Sequence, residues 1–519
     1  MNREQLSDAI GRLDESIVSE AMVSHRRRKP WWYAAVAVAA CVCLAVGMVT
    51  VWPTLKPQGV NSQTKPSVSV GGTNTQVGTS ASTTATQTTA PAETITTKPT
   101  TKPNKEPIPA FLALAQPKYP QMVARDYHEN YYLWRESVRK QQAQLEGQAG
   151  GMTDYYAETM AQFLTGEAGK NRVYSPLNVY LALAMLAETT EGNSRQQLLN
   201  LLGVSDLTAL REKCSSLWNG VYMDDGAVTS LLANSLWLSN GDCWQYDTDT
   251  VNALAKHYYA SVFEGEMGSA AYNHALQDWI NEQTDNLLTE QVGGLGFDPE
   301  TVLALASTIC FKAGWNSEFS ELNNIVSDFA TADGQIAVEY MCKSPITNAY
   351  FGDGFTAVSL DLDDGTYQMT FFLPEKGVSV NDLVANRQVL NLMQGKTGSV
   401  DSKWLKVNMS IPKFDVVSDQ DLINGLRNLG VTDVFDSEKS DFSGILEKKT
   451  APVWVNQVQH AARVAIDEEG VTAAAYTIVM RPGTPMPEDE MDFVLDRPFM
   501  FAITGPENTI LFTGVVENP

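Results

Sequence analysis

The chain has 519 residues, with 37 Lys and Arg against 61 Asp and Glu, a formal charge of −24. Hydrophobic residues make up 44% of it and aromatics 9%, enough for a large buried core, which excludes a chain disordered throughout. So acidic a chain repels phosphate backbones unless it carries a local basic stripe, and no nucleic-acid partner is expected.

Residues 1–30 are mostly polar and end in Arg26-Arg27-Arg28-Lys29. An uncharged apolar run follows from Trp31 to Trp52, with aromatics at both ends. Its length and flanks predict a single transmembrane helix over 31–52. The basic cluster on its N-terminal side places 1–30 in the cytoplasm and the rest outside the cell. A cleaved signal peptide would have a shorter apolar core and a small-residue cleavage site. A lipoprotein reading at Cys41 is disfavoured because the chain stays mostly apolar beyond it.

Residues 53–109 are rich in Ser, Thr and Pro and predict a disordered extracellular tether, open to O-linked sugars in some hosts. From about Ala110 the composition turns globular, and one large domain is expected over 110–519. Six Cys are too few and too scattered for a disulfide framework; Cys214, Cys243, Cys310 and Cys342 read as buried free thiols with no metal-ligand spacing. Helices are expected at 121–148, 154–168, 176–188 and 193–202, with Gly203 capping the last. Apolar, β-rich runs follow at 228–238, 302–312, 354–362, 366–373, 405–416, 453–467, 491–503 and 508–516. Helices early and strands late indicate an α+β domain.

The most informative stretch is 464–480. A strand ends near Asp467, and Glu468-Glu469-Gly470 terminates it. Then Val471, Ala473, Ala475, Thr477 and Val479 alternate with Thr472, Ala474, Tyr476, Ile478 and Met480. This period fits a strand able to squeeze into a packed sheet. Three Pro between Arg481 and Pro487 make the next segment an exposed loop. An ordinary strand and hairpin loop would give the same local pattern.

The segment resembles the hinge of serpins, whose mobile reactive loop opens with Glu-Glu-Gly and a run of small residues. Other stretches are similar to serpin motifs and fall in order along the chain. They are Tyr174-Ser175-Pro176-Leu177-Asn178, Glu191-Gly192-Asn193, Asn234-Ser235-Leu236-Trp237 and Thr308 to Trp315 with Phe319. Then come Phe371-Phe372-Leu373-Pro374, Ile411-Pro412-Lys413-Phe414, Asp441-Phe442-Ser443-Gly444, His460-Ala461, Arg497-Pro498-Phe499 and Ile510 to Gly514.

The resemblance implies a serpin fold, with three β-sheets, about eight to nine helices and an exposed reactive-centre loop. It implies a suicide substrate. A target protease attacks the loop and forms an acyl-enzyme, the cleaved loop inserts as a new central strand, and the protease is dragged away and distorted. The implied hinge is Glu468, Glu469, Gly470, Val471, Thr472, Ala473, Ala474, Ala475, Tyr476 and Thr477. The family's Thr after the hinge Gly is Val471 here, close in shape and uncharged. Tyr476 should face away from the core by alternation. The implied shutter under the sheet is Ser175, Asn178, Ser307 and His460. The implied breach at its top is Trp315 and Lys413, with a Glu468–Lys413 ion pair.

The scissile region stays open among Met480, Arg481, Gly483, Thr484 and Pro485. The family's count from the hinge falls at Thr484–Pro485, where Pro resists most serine proteases. Met480–Arg481 and Gly483–Thr484 are unobstructed, and Met480 or Val479 would suit an elastase- or chymotrypsin-like pocket.

No nucleophile elbow, zinc motif or P-loop is present, so the chain is expected to be no enzyme and to need no cofactor or metal. Asp361 to Gly365 reads as a hairpin turn, too short for a Ca²⁺ loop. The expected partner is an extracellular protease of serine or cysteine type, met by a monomer anchored through one helix on a bacterial surface. The alternative is a non-inhibitory serpin-fold surface binding protein, whose hinge would carry charged or bulky inward residues.

Overall fold

The computed structural model describes the backbone course of 40–50 and residues 111–126, 129–241, 243–448, 451–471, 487 and 489–519. The expected tether 53–109 and most of the reactive segment lie outside the described residues. The central sheet runs, edge to edge, through Phe414–Asp421, Val453–Ile466, Ala40–Thr50, Thr301–Gly314, Thr229–Ser239, Ala260–Gly265 and Phe111–Ala115. The two long strands Thr229–Ser239 and Thr301–Gly314 are buried almost throughout, because helices cover both faces. That is why they read as continuous apolar runs and not as alternation.

A second ladder runs through Arg172–Tyr174, Ile510–Val516, Phe499–Thr504, Tyr367–Pro374, Phe355–Leu362, Ile346–Gly352, Asp401–Pro412, Gly334–Lys343 and Ile325–Thr331, with Glu490–Val494 parallel to Asp401–Pro412. Three sheets were expected. Asp401–Pro412 pairs with both Ile346–Gly352 and Gly334–Lys343, so the second and third form one ladder. The described residues hold eleven α-helices, some only four to six residues long.

Helix Pro176–Thr189 lies buried along its whole length between the sheets. Ser175 caps it and Pro176 fills its first turn, the start chemistry the sequence announces. The next helix, Gly192–Leu201, ends at Gly203 with φ +66°, the left-handed cap expected there. The helix expected over 121–148 is shorter. It runs Tyr131–Gln142, while 121–126 cross the surface without regular structure. There Arg125 lies buried, paired with Asp225 at 2.6 Å and Asp363 at 2.7 Å, with its guanidinium 4.2 Å from the Trp134 ring. Of the turn expected at Asp361 to Gly365, Asp361 and Leu362 belong to strand Phe355–Leu362, and residues 363–366 make the hairpin turn to Tyr367–Pro374, with Asp363 and Gly365 at positive φ.

One expectation is corrected. Within the run 31–52, residues 40–50 form a strand, not part of a transmembrane helix. It pairs antiparallel with Thr301–Gly314 on one edge and Val453–Ile466 on the other. Among the described residues no helix is long and apolar enough to cross a membrane. Length and flanks pointed to the helix, and neither separates a membrane span from a strand inside a sheet. From 41 to 48 the sequence does alternate larger residues (Val42, Leu44, Val46, Met48) with smaller ones (Cys41, Cys43, Ala45, Gly47), the pattern of a strand with two unequal faces.

Gly444 shows how closely the Asp441 to Gly444 turn meets the helix end. A Cβ there would stand 2.7 Å from the Thr190 carbonyl oxygen, and the Glu191 N–H donates to the Asp441 carbonyl at 2.9 Å. Gly444→Ala should therefore lower the unfolding free energy by about 2 kcal/mol, the scale of overpacking a tight site. A urea midpoint equal to wild type would show that the turn can move aside.

Candidate functional site: hinge, breach and shutter

The site is built where Thr301–Gly314 and Val453–Ile466 end together. Past Ile466, the Asp467 carboxylate accepts from the N–H of Glu469 at 2.9 Å and of Gly470 at 3.1 Å, which turns the chain. Gly470–Val471 then pairs antiparallel with Gly314 and Ala313. Val471 is fully buried. The hinge has thus entered the sheet by two residues. Thr472, Ala473, Ala474, Ala475, Tyr476, Thr477, Met480, Arg481, Gly483, Thr484 and Pro485 lie outside the described residues.

The turn is anchored at the breach. Lys413 Nζ lies 2.7 Å from Glu468 and 3.1 Å from Glu339, so the expected Glu468–Lys413 pair is present and shared. Asn324 donates to both Glu339, at 2.8 Å, and Glu468. Burial works against the Glu468 carboxylate, but the Lys413 and Asn324 hydrogen bonds outweigh it and hold its pKa below the ordinary range. Trp315 Nε1 donates to the Asp467 carbonyl at 2.8 Å, while the N–H groups of Trp315 and Phe319 donate to the carbonyls of Glu469 and Glu468. Lys343 covers these rings, its Nζ 4.0 Å from the Phe319 centroid. Burial pushes the Lys343 pKa down to about 7.

The shutter lies under the sheet's middle, against the start of helix Pro176–Thr189. The Ser175 N–H donates to His460 Nε2 at 3.2 Å, and Ser175 Oγ donates to the Leu511 carbonyl at 2.6 Å. Asn178 Nδ2 donates to Ser307 Oγ at 2.8 Å, and Ser307 Oγ to Asn234 Oδ1 at 2.6 Å. Asn234 in turn donates to the Tyr258 carbonyl at 2.7 Å. All five side chains are fully buried. The predicted residues therefore form two linked pairs, Ser175 with His460 and Asn178 with Ser307. Leu44 of the inserted strand stands at the register position between Ser307 and His460. His460 packs edge-on to Tyr174, with ring centroids 5.3 Å apart, and burial pushes its pKa down to about 3. A neutral ring is also what the geometry demands, since Nε2 accepts a hydrogen bond.

Sequence reasoning missed Asn234, Asn324, Glu339 and Lys343. Asn234 had a signal: an amide inside an apolar strand must find a buried partner. The other three come from distant strands and turns and carry no local mark.

A hinge entered at one end of the central sheet, an ion pair holding it and a polar cluster beneath the sheet's middle form the arrangement of a serpin fold. The Serpin (serine protease inhibitor) family matches residues 152–519, and the chain belongs to that family. It is 27% identical to Serpin-ZX of Arabidopsis thaliana over 378 residues, covering 68% of this chain and 94% of that protein. It is 25% identical to plasminogen activator inhibitor 1 of Sus scrofa, covering 71% and 91%. Among solved structures it is similar to the thermophilic serpin tengpin in its native state, with TM-score 0.63, 20% identity, and coverage of 79% of this chain and 100% of that one. These relatives are matched over nearly their whole length by about 70% of this chain.

Two measurements check the site. Lys413→Ala should speed amide exchange at Trp315 and Phe319, whose donors are held by the hinge carbonyls. Unchanged exchange would mean that the ion pair does not hold the turn. His460 is depressed in the fold relative to an ordinary histidine near 6.5, so its stabilising contribution is fully present above pH 6.5 and is lost as pH falls toward about 3. Between pH 7 and pH 5 unfolding free energy should drop by about 2 kcal/mol from this group. His460→Gln should flatten that slope, and an identical slope would assign it to other groups.

Proposed function

We propose that the chain inhibits an extracellular serine protease as a suicide substrate, trapping it as an acyl-enzyme when the cut loop inserts into the central sheet. One observation carries this reading: Gly470 and Val471 already pair with Gly314 and Ala313 in register. Continuing that register puts Ala473 opposite Phe311, Ala475 opposite Ile309 and Thr477 opposite Ser307. Every inward position is small or β-branched and uncharged, so insertion buries no unpaired charge. A non-inhibitory binding protein has no need of that pattern.

Membrane attachment and display outside the cell form part of the same proposal, as does a bacterial source. The uncharged run 31–52, with Arg26 to Lys29 before it, supports a cytoplasmic N-terminus and a domain on a Ser/Thr-rich tether. Spanning a bilayer requires residues 40–50 to stand outside the sheet. The target is a protease with a small or medium apolar specificity pocket, if Met480 or Val479 precedes the cut.

The test is to incubate residues 110–519 with elastase-, chymotrypsin-, trypsin- and subtilisin-like proteases. The expected result is an SDS-stable complex with at least one, and the released C-terminal peptide then fixes the scissile bond. Ala475→Arg should convert the protein from trap to substrate, with complex yield falling at least about tenfold, since a buried unpaired charge costs several kcal/mol. Clean cleavage with no complex and no gain in thermal stability would favour the surface-binding alternative.

A further inference from the structure

The strand Ala40–Thr50 runs in the direction an inserting loop must take, antiparallel to both Thr301–Gly314 and Val453–Ile466. Its first residue, Ala40, pairs with Phe311. The hinge pairs as far as Ala313. Extended by one register, the loop would bring Ala473 to Phe311, Thr477 to Ser307 and Val479 to Leu305. Those positions are held by Ala40, Leu44 and Val46. The two segments therefore compete, residue for residue, for one set of backbone donors and acceptors. A sheet strand has two edges, and both edges facing this gap are taken along nearly the whole of 40–50.

We infer that residues 40–50 are an internal plug of the insertion slot, so that the chain is held unable to trap until the plug is withdrawn. The inference rests on the inhibitory reading above. An uncharged strand in the slot shields the paired groups of both neighbours from water and blocks the hinge from the position opposite Phe311, two residues beyond Val471. Withdrawal has a natural destination, because the same apolar run is long enough to enter a bilayer. In that event the membrane, by taking up 31–52, clears the slot and arms the domain it carries.

The register supplies a probe made of native residues. Cys41 stands directly opposite Cys310, and cross-strand Cα distances of about 4.5–5.5 Å suit a disulfide. The full chain in detergent-free, lipid-free buffer is oxidised with copper phenanthroline, digested, and its linked peptides read by mass spectrometry. A Cys41–Cys310 link, absent in Cys310→Ser, is expected. A link from Cys43 instead, or none, would overturn the plug. In parallel, the oxidised full chain and residues 110–519 meet a protease that residues 110–519 trap. The oxidised chain should trap at least about tenfold more slowly and recover on reduction in phospholipid nanodiscs. Equal rates, despite the link, would overturn the inference, since the strand would then yield at no cost. Should residues 110–519 trap no protease at all, the inhibitory reading falls and the plug's function with it. The link would still report occupancy of the slot.

Discussion

The molecule depends on one constraint: the gap between Thr301–Gly314 and Val453–Ile466 holds a single strand, and the backbone groups facing it must be paired. An unpaired buried N–H or C=O costs roughly as much as a lost hydrogen bond, so whatever fills the gap is strongly held. The buried helix Pro176–Thr189 closes it from below, and the shutter residues reach up to both bordering strands, to His460 on one and Ser307 on the other. The hinge controls it from above. Ser307 and His460 lie on the two strands that border that gap.

The two controls are of different physical kinds. The breach is a charged cluster near the surface, with the Lys413 side chain 31% exposed and Glu468 11%, so salt reaches it. The shutter is neutral and wholly buried, and its hydrogen bonds feel a low dielectric. The first sets how readily the turn enters the sheet. The second sets how firmly the bordering strands sit on the helix beneath. A substitution at Lys413 is therefore expected to act locally, while one at His460 or Asn178 strains the packing of the entire centre.

Much of this was legible in the sequence because the informative features are local. Glu468 to Thr477 states its alternation within ten residues, Ser175-Pro176 is a helix start in two, and Gly203 a helix end in one. The shutter members needed the resemblance, since residues 175, 307 and 460 meet only through long-range strand order. Asn324 and Glu339 were invisible for the same reason, being brought to Glu468 by a strand pair distant in sequence. Over 40–50 the strand was hidden for a different reason. A strand in the middle of a sheet and a membrane helix make the same demand on composition, and both exclude charge. What separates them is a partner with two open edges elsewhere in the chain, which no local window contains.

The loop itself is held at both ends, by Val471 on the central sheet and by Glu490–Val494 on the second ladder. A cut releases only the part before it. If the chain breaks after Met480, nine residues, 472–480, can follow Val471, about 30 Å of strand at about 3.3 Å per residue. If it breaks after Thr484, thirteen residues follow, about 43 Å at the same rise. On the inhibitory reading proposed above, an attached protease would come to rest that far along the sheet from Val471, so each residue of displacement in the cut site would move its resting place by one strand step. The loop would then work as a lever whose arm is measured out by the enzyme that cuts it.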